Sequence, residues 1–316
     1  MKEKIFITGI NGFIGRRAAA ALRAAGHQIC GLDRAARCFD PDLPYVQGDI
    51  TDEAALAAAL DTLRPTAVLH LAALVHNNNA DLSEEAFERI NHRASRTLFR
   101  LCARHGVGAV LFSSTIEVYG ESDAAVIDEQ TPCNPASPYG RSKLRAEEAL
   151  WQELPGCRTA ALRFAPVYDR DFRLNLDKRF YVAGKRAAVL FRDGGYSFHF
   201  CSVRNILRFL CAWFSGDAPG GVYVLSDAAT VSARNFLDME RRHGVRVPVL
   251  RAPYWPAYGA IATLEGVSRV ISRSEPFLSR YNFRKLFRST VYNADRARRL
   301  VEPMDVSMEE TLYGGQ

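Results

Sequence analysis

The feature that most constrains this chain is a glycine turn set between an apolar strand and an alanine-rich helix. Lys4-Ile-Phe-Ile-Thr8 runs into Gly9-Ile-Asn-Gly12-Phe-Ile-Gly15, and Arg16 to Ala25 follows at helical period. Gly26 stands where a helix is closed by a residue of positive φ. Gln28 to Leu32 reads as a second strand with Asp33 at its end. Strand, glycine turn, helix, strand and acid in this order form the unit that a dinucleotide requires. The glycines let a pyrophosphate approach the backbone, and the helix N-terminus offers it N–H donors and a favourable dipole. Gly9, Gly12, Phe13, Ile14 and Gly15 are therefore assigned to the cofactor. Asp33 would accept hydrogen bonds from both adenosine-ribose hydroxyls and repel a 2′-phosphate, which favours NAD. Arg34 and Arg37 follow and could pair with that phosphate, so NADP stays open.

The alternation continues. Tyr45 to Ile50 reads as a third strand with Asp49 near its carboxyl end, and Asp52 to Leu63 as a helix. Ala67 to Leu71 is a fourth strand; the small Ala72 and Ala73 after it would let a cofactor lie against the backbone. His70 reads as a packed strand residue, and His76, past the strand end, as the better contact candidate. Residues 83–105 make a long amphipathic helix whose apolar stripe is interrupted by Asn91. Asn91 is open to two readings, an exposed polar residue or a cofactor contact. Ala109 to Ser113 is a fifth strand with Ser114 and Thr115 at its carboxyl end, where open α/β sheets place ligands. Arg158 to Phe164 is a sixth, ending at Ala165-Pro166. The fold class expected is α/β, one doubly wound parallel (Rossmann) sheet over residues 1–166. Residues 167–316 should form a smaller, mainly helical substrate lobe, with about 196–225 returning to the sheet.

A second element carries chemistry. Tyr139-Gly-Arg-Ser-Lys143 follows Pro138, which marks a helix start. Spacing of i and i+4 places the phenol and the ammonium on one face. A free phenol titrates near about 10. A cation held beside it would favour the phenolate, so Tyr139 becomes a candidate acid/base.

Composition narrows the class. With 48% hydrophobic and 24% charged residues, the chain reads as an ordinary soluble globular protein. Its apolar runs are interrupted well before the length a membrane span needs, and no signal peptide is read. Seven cysteines without Cys-x-x-Cys pairs point to a reducing cytoplasmic setting and to no metal site. The net charge of +6 owes much to late residues: Arg241-Arg242, Arg280, Arg284-Lys285, Arg288, Arg296 and Arg298-Arg299. No aromatic-plus-basic binding motif accompanies them, so a solvated face or a phosphorylated small ligand ranks above nucleic acid.

Taken together, Gly9-x-x-Gly12-x-x-Gly15, Asp33, Gly48-Asp49-Ile50, His70-Leu-Ala-Ala73, Asn91, Ser113-Ser-Thr115, Val118-Tyr-Gly120, Ser137-Pro-Tyr139-x-x-x-Lys143, Leu162-Arg-Phe164 and Pro166-Val167-Tyr168 span residues 4–168. In this order they resemble the extended short-chain dehydrogenase/reductase family, in its NAD-dependent nucleotide-sugar epimerase/dehydratase branch. The resemblance implies that Tyr139 is the acid/base. Lys143 would lower its pKa and bind the nicotinamide ribose, and Thr115 would hydrogen-bond the reacting sugar oxygen. Asp49 and Ile50 would flank the adenine. Leu71, Ala72, Ala73, Asn91, Ser113, Phe164, Pro166 and Val167 complete the cofactor side, and His76, Thr115, Glu117, Asn175 and Arg179 the substrate side. It further implies hydride transfer at a sugar carbon, commonly C4, of a nucleotide-activated sugar, and a link to cell-surface polysaccharide biosynthesis.

Departures matter. Members often carry an arginine for the diphosphate in the extended segment after the Asp193-Gly194 turn, and Phe198 takes that place here. Arg173, Lys178, Arg179, Arg192 or Arg204 could substitute. Ile116 stands where sugar dehydratases place an acid directly after the threonine, so epimerisation or ketone reduction is expected over dehydration. A non-catalytic dinucleotide-binding regulator is the competing class. A homodimer is expected through the helices at 83–105 and 139–154.

Overall fold

The fold was established from a computed structural model, which describes residues 2–75, 83–122, 124–182, 185–216, 218–271, 290–301 and 306–314. Its centre is a seven-stranded sheet of β1 (Lys4–Thr8), β2 (Gln28–Asp33), β3 (Tyr45–Gln47), β4 (Ala67–His70), β5 (Ala109–Thr115), β6 (Arg158–Phe164) and β7 (Gly221–Leu225). The spatial order is β7-β6-β5-β4-β1-β2-β3 and every pairing is parallel. Such strands need cover on both faces, which is why β5 is buried at all seven positions. Helices Phe13–Ala24 and Val203–Ser215 cover one face, with Leu22, Phe209 and Trp213 in its core. Helices Glu53–Leu63 and Pro138–Glu153 and the segment 84–104 cover the other, through Leu60, Leu98, Phe99 and Leu150. The strand order reverses between β1 and β4, so the carboxyl ends of these two strands flank the crevice where a doubly wound sheet takes its ligand.

Several expected boundaries move. The first helix begins at Phe13, directly on the glycine turn, because Gly12 itself serves as its N-cap. The segment 83–105 is helical but not uniformly α: Glu88–Arg93 forms a π-helical turn between Glu84–Phe87 and Ala94–Arg104. Gly221–Leu225 joins β6 as an edge of the sheet, with Tyr223 opposite Leu162.

The rest of the later half holds more strand than its composition suggested. Ala187–Phe191 lies between Tyr181–Val182 and Val249–Ala252 in a small three-stranded sheet. Its burial alternates, yet both faces carry apolar residues, so no alternation shows in the sequence. The helix Ala233–Arg242 packs there, with the rings of Phe180 and Phe236 stacked at 3.9 Å. Among the late basic residues, Arg241 and Arg242 pair with Asp238 and Glu309, and Arg296 and Arg298 donate to the carbonyls of Gly220 and Asp227. Arg280, Arg284, Lys285, Arg288 and the substrate candidate His76 lie outside the described residues. No helix among the described residues is long and apolar enough to cross a membrane.

Candidate active site

The glycine turn builds a cradle at the end of β1. The Gly9 amide donates to the Leu32 carbonyl at 2.8 Å and the Gly12 amide to the Gly9 carbonyl at 2.9 Å. A Cβ on Gly15 would stand 2.3 Å from the Gly9 carbonyl oxygen, so the helix lies this close to the turn only because the residue has no side chain. No acid stands in the helix's first turn, which leaves its positive dipole end for an anion. Asp33 is oriented by the Asn11 and Ala35 amides at 3.1 and 3.2 Å. Asn11, which no sequence argument singled out, also donates to the Arg37 carbonyl and accepts from the Phe39 amide. Arg34 receives Gln47 on its carbonyl, while its side chain stays exposed. Asp49 accepts from the amide and hydroxyl of Thr51, and Ile50 is buried beside it. Ile14 packs partly into the core. Phe13 stacks on Phe172 at 4.3 Å under Arg17, whose Nε donates to Asp169 at 2.9 Å, so the segment after β6 is tied to the cradle.

The segment after β4 is held from beneath. The Leu71 amide donates to the Thr8 carbonyl and the Ala72 amide to the Thr8 hydroxyl. That hydroxyl meets His70 Nδ1 at 2.6 Å, His70 Nε2 meets the Ser95 hydroxyl at 2.8 Å, and Ser95 donates to the Asn91 carbonyl. The donors can all be placed only with a neutral imidazole protonated at Nε2. Burial agrees, pushing His70 down to about 3, with Lys143 adding to the shift. Asn91 is 1% exposed, which removes its reading as an exposed polar residue. Its amide accepts from the Leu74 N–H at 2.8 Å, donates to the Leu74 carbonyl at 2.9 Å and reaches the Ser142 hydroxyl at 3.2 Å. These contacts hold the post-β4 segment against the helix that carries Tyr139.

Thr115 ends β5 opposite Phe164, and its hydroxyl acts on the Tyr139 phenol. Ser137 caps the Tyr139 helix by accepting from the Gly140 amide at 3.0 Å and donates to Glu117 at 2.8 Å. A Cβ on Gly140 would lie 2.7 Å from the Glu117 carbonyl oxygen; a larger residue there would push Tyr139 away from Thr115. Burial pushes the phenol's pKa well up, the Glu117 carboxylate adds to this, and the Thr115 hydroxyl opposes it.

The lowering expected from Lys143 is not found. Lys143 is 2% exposed and its ammonium lies over the Phe112 ring at 4.4 Å, down toward the sheet. Burial depresses it to about 7, with Glu147 pulling the other way. Glu147 is itself fixed by Arg163 at 2.7 Å and by the Ser114 hydroxyl. Ser113 is buried within β5.

On the opposite side of the crevice, Phe164 is buried, Val167 half-buried, and the Pro166 carbonyl accepts from Cys201. Asn175 turns its amide to the Val167 carbonyl at 2.8 Å. The candidates to replace the missing diphosphate arginine separate clearly. Arg173 is paired with buried Glu240 at 2.7 Å, Lys178 is exposed, and Arg192 lies over the Tyr254 ring. Arg204 is half-buried on helix Val203–Ser215. Arg179 lies over the Phe200 and Phe198 rings. The Glu117 carboxylate supports the Arg179 charge and raises the Tyr139 phenol.

A parallel sheet with this reversal, cradle and acid defines a dinucleotide-binding Rossmann protein, and the cradle fits a pyrophosphate because only glycine leaves the space. A model of the NAD dependent epimerase/dehydratase family matches residues 5–225, and the chain belongs to that family. Its cofactor is accordingly NAD. A UDP-glucose 4-epimerase of Azospirillum brasilense is 32% identical over 174 residues, 53% of this chain and 50% of that protein. One of Rhizobium meliloti is 31% identical over 175 residues, 54% and 53% of the two chains. The chain thus spans about half the length of these relatives. The structure of MoeE5 in complex with UDP-glucuronic acid and NAD is similar with a TM-score of 0.74, 24% identity and coverage of 98% and 96%. The UDP-glucose 4-epimerase of Thermotoga maritima gives 0.74 at 21% identity, with the same coverage. These structural likenesses show the fold.

Proposed function

We propose that the chain is an NAD-dependent epimerase or 4-ketoreductase of a nucleotide-activated sugar, acting at a sugar carbon, C4, with Tyr139 as acid/base. The observation that carries this reading is that Thr115, at the carboxyl end of β5 beside the cradle, presents a hydroxyl that acts on the Tyr139 phenol. Bound NAD supplies the hydride acceptor and donor. Gly9, Gly12 and Gly15 would hold its pyrophosphate, Asp33 its adenosine ribose and Lys143 its nicotinamide ribose. Thr115 and Tyr139 would hold one substrate oxygen from two sides. The Tyr139 oxygen takes that hydroxyl's proton during oxidation and returns it on reduction. Orientation of donor and acceptor supplies much of the rate in such a site. Membership of the family and the names of the relatives support the substrate class. All seven cysteines are free, which supports a reducing cytoplasmic setting. The active form is a homodimer built on the helices at 84–104 and 138–153.

Tyr139→Phe tests the acid/base role. NAD affinity should stay at the parent value while kcat for interconversion of a nucleotide sugar falls about 10²–10⁴-fold. Turnover at the parent rate would exclude Tyr139 from proton transfer.

A further inference from the structure

The small sheet of the lobe has two apolar faces, and only one of them meets a core. Tyr181, Ala188 and Leu190 are buried in the lobe core. Side chains alternate along a strand, and positions paired across strands share a face. By register, Val182 stands beside Ala187, Leu250 beside Val189 and Ala252 beside Phe191, so these six residues make up the opposite face. No charged side chain stands among them. Val182 keeps 42% of its surface exposed and Leu250 56%.

An aromatic corner continues this face. The helix Tyr254–Ile271 starts just beyond the strand Val249–Ala252, and its residues 254–263 carry no charge. Ile261 on that helix is buried, whereas Trp255, at 72%, is the most exposed large apolar side chain among the described residues. Its ring meets those of Tyr254 and Tyr258 edge-on at 5.1 and 6.3 Å. The Arg192 guanidinium lies 4.8 Å over the Tyr254 ring, which ties the corner to the end of Ala187–Phe191. The exposed charges on these strands and at their ends are Lys185, Arg186, Arg192, Arg246 and Arg251, against one exposed acid, Asp193. Lys185 is paired with Asp177 at 2.8 Å.

A contiguous exposed apolar patch inside a charged rim marks an interaction surface. Its chemistry selects the occupant. Tryptophan and tyrosine favour the boundary between water and lipid headgroups, and an arginine beside them lays its stem on the apolar layer with its charge at the phosphates. A second copy of the chain, paired through a two-fold axis, would set this basic rim against itself. A bilayer with anionic headgroups meets it with the opposite sign. We propose that this face docks the lobe on an anionic lipid surface, lying in the headgroup region without spanning the bilayer.

Co-sedimentation of the NAD-loaded full chain with vesicles tests the contact, using phosphatidylcholine alone and phosphatidylcholine mixed with phosphatidylglycerol. The parent should bind the mixed vesicles, more weakly as salt is raised, and bind the neutral ones far less. Trp255→Ser with Leu250→Ser should weaken that binding at least about tenfold and leave NAD affinity at the parent value. Arg186→Glu with Arg251→Glu should weaken it at least about fivefold for each charge removed, and this pair decides the matter if the serine pair no longer holds NAD. A parent that binds neither kind of vesicle, or both equally, would overturn the proposal, as would variants that bind like the parent. A dimer that dissociates in the serine pair, from a parent that ignores vesicles, would assign the face to a second copy instead.

Discussion

The phenol of Tyr139 is acted on by three influences of unequal sign. Burial raises its pKa most, the Glu117 carboxylate raises it further, and the Thr115 hydroxyl lowers it. Removing the carboxylate's charge without its shape, as in Glu117→Gln, favours the phenolate and lowers the pKa. A rate limited by proton removal rises with pH as the phenol ionises. The rise in kcat should therefore begin at lower pH in Glu117→Gln than in the parent, in profiles measured from pH 6 to 10. A profile that stays in place would show that Glu117 has no electrostatic hold on the reacting group. Lys143 differs from a lysine at the surface: burial lowers its pKa, and Glu147 opposes the shift.

At the scale of elements, the π-helical turn Glu88–Arg93 explains why a polar residue can interrupt the stripe of a covering helix. One extra residue in the turn shifts the register, and such bulges recur at functional sites. Here Asn91 reaches the backbone of Leu74 and the side chain of Ser142, coupling three segments. Asn91→Ala would leave the part-buried Leu74 N–H and carbonyl without these partners, at a cost below the about 1–3 kcal/mol of a fully buried group. Urea unfolding should show that loss, and NAD titration a weaker affinity, because Leu71–Ala73 borders the cradle. Lost stability with unchanged NAD affinity would reduce Asn91 to a purely structural part. The ion pairs between the segment 84–104 and helix Pro138–Glu153, Arg141–Glu84, Arg145–Glu88 and Arg96–Glu153, lie largely at the surface and add little.

For the whole molecule, the lobe and the sheet are joined at the cradle itself through Phe13 on Phe172 and Arg17 on Asp169. On the far side, the segment 84–104 and helix Pro138–Glu153 lie together over the sheet, and Trp151 keeps 37% of its surface exposed. A two-fold pairing there would cover it. The mass in solution at micromolar concentration should be twice the 35.2 kDa of the chain. A monomeric mass by light scattering would remove the dimer.

The amino-acid sequence by itself determined the strand and helix alternation through β6, the cradle, and the positions of Thr115, Tyr139 and Lys143. Glycine spacing, helical period and apolar runs are local properties, and each can be read within a few residues. Tertiary structure decided the rest. It set Lys143 over Phe112, buried Asn91, and brought β7 back to β6 across more than fifty residues of chain. It also separated Arg179 from Arg173, which sequence had left equivalent, because only one of them meets a buried carboxylate. Burial and the approach of charges from distant segments set these outcomes, and neither exists until the chain has folded.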